Sequence, residues 1–253
     1  TVYTGSIPVS TSNHTASVKR KFYRGYSFSM PASPHMAQLI GPTQAPGEPE
    51  LRAVAINTLF GAFARKSTSG ELGNATDSKL LAALRQWSDC VLVGAGTVAA
   101  EQYGPSATPI AVVTRSLELD PSLPIFGTER LIIVAPERSL ADATRTPTIR
   151  TLENLGATIV SSGDGSAASI VRALRNLGFA RILCEGGPHL YAQMLDANLI
   201  DVLHVTVDVS VGSQDGPWGL ELDRNRNYVR RFEVEDATVD QRAMIFTRLR
   251  RVR

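Results

Sequence analysis

Short runs of β-branched and aliphatic residues recur along the chain from Arg52 onward, separated by stretches with helical periodicity. The runs predict strands at 52–58, 90–94, 110–114, 130–135, 157–160 and 181–184. They are continuously apolar rather than alternating, which is what a strand requires when helices cover both faces of its sheet. The pattern therefore predicts an α/β domain with a mainly parallel central sheet and helices on both faces.

Helical periodicity fills three of the intervals between these runs. It predicts helices at 76–87 and 166–177, and a third that begins near Pro188. Gly178 follows the second helix as a stop signal. Proline suits the first turn of the third, because the N–H that it lacks would have no partner there.

The hydrophobic pattern changes after residue 200. The segment 201–212 alternates strictly, with Leu203 and four valines on one side and polar residues, His204 among them, on the other. This period of two is typical of an antiparallel strand with one wet or interface face. Further strands are predicted at 227–236 and 242–252, so we expect the sheet to end in an antiparallel meander. We expect His204 at the surface or an interface, and the valine face near the interface of a homodimer.

The first fifty residues differ from the rest. They are rich in Ser, Thr and Pro and contain a basic and aromatic segment at 19–31. Segments of this composition seldom bury enough apolar surface to fold alone. We therefore predict an N-terminal arm and linker over residues 1–50, and one domain over residues 51–253.

Charge and cysteine content exclude several classes of function. The formal net charge is only +2, which gives no excess that would favour nucleic acid or a membrane surface as a partner. No stretch approaches the roughly 20 apolar residues of a membrane span. Cys90 and Cys184 each lie in an apolar run, which is typical of buried thiols in a reduced, cytoplasmic protein. Two cysteines without a C-x-x-C motif also cannot form the zinc site of a base deaminase, and no metal is expected.

Two glycine-containing turns follow predicted strands. Gly94-Ala95-Gly96-Thr97 comes after one and Gly186-Gly187 after another. Ligands of open α/β sheets bind beyond the carboxyl ends of the strands, where glycine lets the backbone approach a phosphate and Thr97 can add a hydroxyl. A tight turn alone would explain either motif, but two such turns favour a shared ligand.

A third turn indicates which nucleotide that ligand would be. Position 99 is alanine, so the third glycine of the usual dinucleotide fingerprint is missing. Thr114-Arg115-Ser116 ends the next predicted strand and offers a guanidinium and two hydroxyls, which suit a 2′-phosphate better than a bare ribose. The predicted cofactor is therefore NADPH rather than NADH; the alternative is that Arg115 is a solvated surface residue.

The segments SDCVLVGAGTV (88–98) and CEGGPHL (184–190), with VVTRSLELDPSLPIF (112–126) between them, resemble a known family. They are similar to the C-terminal reductase domain of the bacterial riboflavin-biosynthesis deaminase/reductases, which shares its fold with dihydrofolate reductase. The resemblance covers roughly residues 51–253. It implies a dihydrofolate reductase-like fold and an NADPH-dependent pyrimidine reductase. The implied cofactor-binding residues are Gly94, Ala95, Gly96, Thr97, Thr114, Arg115, Ser116, Gly186 and Gly187.

The same resemblance implies the substrate and the residues that bind it. In the family's pyrimidine reductases the substrate is 5-amino-6-(5-phosphoribosylamino)uracil, whose ribosyl part is reduced to ribityl, and Glu185 matches the family's substrate-binding glutamate. The family's first strand runs into S-L-D-G, where this chain has Asn57-Thr58-Leu59-Phe60-Gly61. We therefore expect Asn57, Thr58 and Phe60 at the substrate pocket, with an aromatic ring in place of a carboxylate. This departure affects residues expected to bind the substrate, and it leaves the implied cofactor-binding residues unchanged.

Asp77 leaves two interpretations open. It lies in the first turn of the predicted helix 76–87, where dihydrofolate reductases resemble one another in carrying a carboxylate that binds the pterin ring. An acid in a first turn is also favoured by the helix dipole, and Asn74 or Thr76 can supply a cap. His189 is a weaker candidate for an acid/base group or a phosphate ligand, and Glu101 and Tyr103 are weaker candidates for residues that border the nicotinamide.

Three functional hypotheses remain at this point. The leading one is a pyrimidine reductase of the riboflavin pathway that uses NADPH and a small heterocyclic substrate. The second is a dihydrofolate reductase-like enzyme that uses Asp77. The third is an NADPH-binding homologue without catalysis, which Phe60 motivates. The catalytic residue is not identified by the sequence.

Overall fold

The computed structural model describes residues 35–45, 47–64, 68–211, 220, 222, 229–240 and 244–252. The chain divides into two units, Thr1–Pro31 and Ala32–Arg253, and the described residues all belong to the second. The basic and aromatic segment at 19–31 lies outside them. The division into an arm and a domain near residue 50 stays a prediction.

The described strands form one sheet of nine strands. They are β1 Glu50–Thr58, β2 Cys90–Gly94, β3 Ile110–Val113, β4 Leu131–Ala135, β5 Thr158–Ser161, β6 Arg181–Gly186, β7 Val202–Asp208, β8 Phe232–Val239 and β9 Met244–Arg251. The helices are α1 Met36–Ile40, α2 Ala75–Trp87, α3 Ala95–Ala100, α4 Glu137–Leu140, α5 Thr146–Asn154, α6 Ala167–Asn176 and α7 Pro188–Asp196. Short 3-10 turns lie at Ser69–Glu71, Pro124–Gly127 and Ala143–Arg145.

The order of the strands confirms the predicted fold class. The order is β5-β4-β3-β2-β6-β1-β7-β9-β8, in which neighbours from β5 to β7 are parallel and β9 pairs antiparallel with both β7 and β8. Each predicted apolar run corresponds to one of the strands β1 to β6. The fold is therefore an α/β arrangement with a mainly parallel sheet and a C-terminal antiparallel end.

Two hydrophobic clusters lie on opposite faces of this sheet, because alternate residues of each buried strand point to opposite sides. Val91 and Val93 of β2 pack in one cluster with Leu84 of α2. Leu92 of β2 packs in the other with Leu174 of α6. Helices therefore cover both faces, as continuous apolarity predicts. No helix among the described residues is long and apolar enough to span a bilayer.

Strand β7 corrects one expectation. The prediction that His204 lies at the surface or an interface is wrong: His204 is only 1% exposed, while Leu203 and Val205 on the other side are half-buried. The strand lies inside the sheet, parallel to β1 and antiparallel to β9. Alternation shows which residues share a face, but which face is covered depends on the layer packed against it. Here the covered face is the polar one.

The polar face of β7 is covered because a buried ionic cluster lies on that side of the sheet. Arg52 is 0% exposed, and its guanidinium lies 3.1 Å from the Glu50 carboxylate and 4.3 Å from the centre of the Trp87 ring. It also donates to the backbone carbonyls of Ile40 and Pro42, each at 2.6 Å. Hydrogen bonds of this kind offset the cost of burying a charge. They also attach the segment around α1 to the sheet.

Candidate functional site

A cleft of about 1140 Å³ lies at the carboxyl ends of the parallel strands. This is where ligands of open α/β sheets bind. The predicted residues that line it are Asp77, Gly94, Ala95, Gly96, Thr97, Thr114, Arg115, Ser116, Glu185 and Gly187. The structure therefore brings most of the residues selected from the sequence into one site. Among the described residues, no group of His, Cys, Asp or Glu side chains is arranged to hold a metal ion.

The first glycine turn joins β2 directly to α3. Gly94 is the last residue of the strand, and a Cβ placed on it would lie 3.4 Å from the carbonyl oxygen of Gly186. The ends of β2 and β6 therefore lie within van der Waals contact at Gly94. A Cβ on Gly96 would meet no atom within 4 Å. The backbone at Gly96 thus borders open space in the cleft.

The second glycine turn contacts the first. The N–H of Gly187 donates to the hydroxyl oxygen of Thr97 at 2.9 Å, and a Cβ on Gly187 would lie only 2.5 Å from that oxygen. Gly186 has φ +79°, and a Cβ there would overlap the ring of Tyr191. Because the Thr97 oxygen acts as an acceptor, its hydroxyl proton remains free to be donated to a ligand.

The turn after β3 presents one cation at the edge of the cleft. Thr114 is buried, and its hydroxyl oxygen accepts from the Leu117 N–H at 3.0 Å. The carbonyl of Arg115 accepts from the hydroxyl of Ser139 at 2.8 Å and from the guanidinium of Arg145. The Arg115 side chain is exposed and makes no ion pair among the described residues. Its backbone is therefore fixed while its charge is available.

Glu185 lies at the centre of a hydrogen-bonded group in the cleft. Glu185 is 8% exposed, and its carboxylate accepts two bonds of 2.6 Å from the Arg85 guanidinium and one of 2.6 Å from the Tyr103 hydroxyl. The guanidinium also lies 5.3 Å from the centre of the Tyr103 ring. These bonds to Glu185 raise the pKa of Arg85, while burial, with the Glu185 charge as a lesser cause, raises the pKa of Tyr103. Tyr103 is therefore held as a neutral donor.

Arg85 is the site residue that sequence reasoning missed. It lies seven residues after Ser78 on α2, two helical turns away, and both residues line the cleft. That spacing is the one signal that the sequence offers for it. The partner, Glu185, is 100 positions away along the chain, so the ion pair itself leaves no local pattern.

Asp77 lies in the first turn of α2, as predicted, and lines the cleft. The cap of this helix is Asn74, whose side-chain oxygen accepts from the N–H groups of Thr76 at 2.8 Å and Asp77 at 3.1 Å. The Asp77 carboxylate is therefore not needed as the cap. Burial raises the pKa of Asp77, and a hydrogen bond from Thr206 opposes this only in part.

The end of the first strand is placed differently from the other predicted residues. Asn57, Thr58 and Phe60 do not line the cleft. Asn57 donates to the Thr58 carbonyl at 3.1 Å, and the Thr58 hydroxyl accepts from the Ala62 N–H at 3.2 Å. Phe60 lies in the turn after β1 and is 71% exposed. These three positions are therefore not brought together with Asp77 and Glu185.

The weaker candidates also line the cleft. His189 lies in the first turn of α7, and Glu101 follows α3. Glu101 accepts from the Thr68 hydroxyl at 2.6 Å and from the Ser69 N–H at 2.7 Å. These bonds fix the segment that follows β1 against the end of α3.

Comparisons with known proteins identify which family and which folds the chain resembles. The family described as the RibD C-terminal domain matches residues 49–240. A pyrimidine reductase-like protein of Corynebacterium diphtheriae is 23% identical over 86% of this chain and 98% of its own, with a TM-score of 0.72. RibD of Acinetobacter baumannii is 18% identical with a TM-score of 0.66, over 82% of this chain and 59% of its own. This chain therefore spans about three fifths of that protein.

A third similar structure is the riboflavin biosynthesis reductase Rib7 of Saccharomyces cerevisiae. It is 13% identical, with a TM-score of 0.60, over 84% of this chain and 94% of its own. No curated protein sequence matches the chain significantly. At these identities, the structural likenesses show a shared fold.

Proposed function

This chain belongs to the RibD C-terminal domain family, and we propose that it is an NADPH-dependent reductase of 5-amino-6-(5-phosphoribosylamino)uracil or a closely related aminopyrimidine. The observation that carries the proposal is the direct bond between Thr97 and Gly187. It joins two glycine turns in the same cleft as Arg115, Asp77 and Arg85. The cleft thus combines groups suited to a phosphate with groups suited to a polar ring.

The residues of the cofactor half fit NADPH. The backbone at Gly96 can be approached closely because no Cβ stands in the way, and Thr97 retains a hydroxyl proton for a phosphate oxygen. Arg115 offers an exposed guanidinium for the 2′-phosphate. When bound, NADPH supplies a hydride from C4 of its nicotinamide. The protein binds and orients the two reactants and limits access of water.

The substrate half of the cleft contains the Asp77 carboxylate, which makes no ion pair among the described residues. Asp77 can accept from the amino and ring N–H groups of an aminopyrimidine, whereas Glu185 is already bound to Arg85 and Tyr103. Apolar side chains, among them Ile56 and Leu72, line the same cleft. A polar ring can therefore be held on one edge by Asp77 while its faces contact apolar groups.

Asp77 also supports the second hypothesis, a dihydrofolate reductase-like activity. A pterin presents the same donor edge as the riboflavin precursor, and the cap of α2 is supplied by Asn74 rather than by Asp77. The substrate therefore has to be determined by direct competition. The third hypothesis, binding without catalysis, remains as a possible outcome of the same assay.

The test begins with calorimetric titrations of NADPH and of NADH into the protein. NADPH oxidation is then measured with the riboflavin precursor and with dihydrofolate in parallel. We expect preference for NADPH and turnover of the precursor. Turnover of dihydrofolate alone would select the second hypothesis, and tight NADPH binding without turnover of either would select the third. Absence of NADPH binding would refute all of them.

We also propose that the protein is a homodimer. Val209 and Val211 extend the apolar side of β7 and are exposed in the single chain. An extended apolar surface of this kind favours self-association. Light scattering at micromolar concentration should give twice the monomer mass, and a monomer would refute the proposal. The cytoplasmic location stays a prediction; Cys90 and Cys184 are free and buried.

A further inference from the structure

The Tyr103 hydroxyl lies against the Glu185 carboxylate in the cleft. Tyr103 follows α3, and both residues line the cleft. The hydroxyl donates to Oε2 of Glu185 at 2.6 Å. Glu185 directly precedes the Gly186-Gly187 turn at the end of β6. The carboxylate therefore lies beside the turn that we assign to the cofactor, at the point where a substrate and a cofactor would meet.

The bonds to Glu185 use its two oxygens unequally. Oε1 accepts from Nε of Arg85, whereas Oε2 accepts both from the terminal guanidinium nitrogen of Arg85 and from Tyr103. An ionised carboxylate has about four acceptor positions, two on each oxygen. Both positions of Oε2 are therefore filled by these two residues, and one position of Oε1 is open. A ligand can receive one hydrogen bond at Oε1, and none at Oε2.

The direction of the bond from Tyr103 is fixed. Burial raises the pKa of Tyr103, with the Glu185 charge as a lesser cause, so the phenol keeps its proton at neutral pH. The ionised carboxylate has no proton to give in return. Tyr103 is therefore always the donor, and it keeps Oε2 occupied.

The Tyr103 hydroxyl is not needed to attach its own segment to the domain. The Tyr103 ring packs against the hydrophobic cluster that contains Val98, and its backbone N–H donates to the Val98 carbonyl at 3.2 Å. The Arg85 guanidinium lies 5.3 Å from the centre of the same ring, and its two bonds to Glu185 already connect α2 with β6. A phenylalanine would keep the ring and the packing. The specific effect of the hydroxyl is therefore on Glu185.

We propose that Tyr103 is a positioning residue of the reaction: by filling Oε2 of Glu185, it leaves Oε1 as the one atom of that carboxylate that accepts from a hydroxyl or N–H of the substrate. The substrate is then held in one orientation beside the cofactor turn. Hydride transfer requires the reacting carbon at a defined distance and angle, and a small misplacement lowers the rate strongly. The inference rests on the proposed function, because it requires a substrate and NADPH in this cleft.

The test compares Tyr103→Phe with Tyr191→Phe as a matched control. Tyr191 is also a buried tyrosine, and its hydroxyl donates to a backbone carbonyl, that of Val54. NADPH oxidation gives kcat and KM, and calorimetry gives the affinity for NADPH. We expect Tyr103→Phe to lower kcat about tenfold and to leave KM and NADPH affinity within about twofold of wild type, because binding persists while the productive orientation is lost. Tyr191→Phe should lower the melting temperature and leave kcat within about twofold.

A double-mutant cycle shows whether Tyr103 acts through Glu185. The Arg85 side chain is 32% exposed, so water can solvate its charge when Glu185→Ala removes the carboxylate. Single-turnover oxidation of NADPH measures the slow rates of these variants. Tyr103→Phe should slow Glu185→Ala by less than about twofold, since the atom that it positions is gone. A further loss of about tenfold would show that Tyr103 acts independently of Glu185, and would overturn the proposal.

The outcomes separate this inference from the proposed function. If wild type turns over the substrate and Tyr103→Phe keeps the full kcat, the role of Tyr103 is refuted while the reductase proposal stands. Equal losses of kcat in Tyr103→Phe and Tyr191→Phe would assign the effect to general loosening of the fold and would also refute it. If Glu185→Ala gives no measurable rate, this comparison of the two single variants decides. If wild type reduces no substrate, the proposed function fails and this inference fails with it.

Discussion

The hydroxyl oxygen of Thr97 accepts a 2.9 Å hydrogen bond from the backbone N–H of Gly187, 90 positions further along the chain. One side-chain atom therefore fixes the distance between the turns that end β2 and β6. A Cβ at position 187 would come within 2.5 Å of that oxygen, so glycine is required for the contact. The bond converts two separate strand ends into one binding surface.

Thr97→Val should weaken NADPH binding about tenfold, while Thr97→Ser should remain within about twofold of wild type. Valine preserves the shape but leaves the Gly187 N–H without an acceptor and removes the proton available to a phosphate. Serine keeps both functions. Calorimetric titration with NADPH measures the difference. Equal losses in the two variants would contradict the specific role of the Thr97 hydroxyl, because serine keeps it.

Gly186→Ala should lower the free energy of unfolding by about 3 kcal/mol or more, whereas Gly178→Ala should lower it by about 1 kcal/mol. Both glycines have positive φ, +79° and +91°. Only at Gly186 would the new Cβ overlap a ring, that of Tyr191, whose hydroxyl is bound to the Val54 carbonyl. Urea denaturation of the two variants separates backbone strain from the steric clash. Similar losses would contradict the packing described around Tyr191.

Asp77→Asn should remove a pH dependence from substrate binding. Burial raises the pKa of Asp77, so in the wild type the affinity for a ring that needs the carboxylate should fall with decreasing pH already above the ordinary aspartate range. KM for the substrate, measured from pH 4 to about 8 in both proteins, tests this. A persisting acid limb in the variant would assign the titration to another group.

The same substitution should stabilise the free protein at neutral pH. A carboxyl whose native pKa is raised contributes stability below its unfolded pKa, near 4 for aspartate, and loses that contribution as pH rises through the native value. Above that window the buried charge is a cost that asparagine does not carry. Urea denaturation at pH 7 should therefore give a higher free energy of unfolding for Asp77→Asn. A lower value would show that the ionised form is compensated in the native state.

His204→Gln should reduce the loss of stability in acid. Burial, with the charges of Arg52, Arg248 and Arg250 as lesser causes, lowers the pKa of His204 from 6.5 to about 3. As pH falls below 6.5, the unfolded chain binds a proton that the native state does not, so the stability of the wild type falls by up to about 1.4 kcal/mol per pH unit for this group alone. Unfolding free energies of both proteins between pH 7 and about 4 should diverge accordingly. Parallel curves would contradict a neutral, buried His204.

The parallel strands could be predicted from the sequence because burial on both faces produces a purely local signal, a continuous apolar run. The start of β1 at Glu50 could not, since Glu50 is charged and is buried in ion pairs with Arg52 and with Arg250, a residue 200 positions away. Helices α3 to α5 were not predicted, and the longest has only 9 residues, too few for a clear periodic pattern.

Some residues of the candidate site could likewise be predicted from the sequence, and others could not. The glycine turns and the Arg115 turn could be predicted because their position at strand ends is visible in the sequence. Arg85 could not, because it is defined by a partner on a distant strand. Phe60 was expected beside the substrate from the motif that it interrupts, yet the chain turns directly after β1 and leaves the ring exposed. A motif gives the order of residues, whereas the direction of a side chain depends on the turn.

The two backbone carbonyls that accept from Arg52 have a consequence for where this fold can be divided. A fragment starting at residue 50 would contain every described strand and yet lack the Ile40 and Pro42 oxygens that satisfy a fully buried guanidinium. We therefore expect a fragment that folds on its own to begin upstream of the sheet, at about Met36. In gene fusion or recombination between homologues, the crossover point that preserves this core lies before that helix rather than at the first strand.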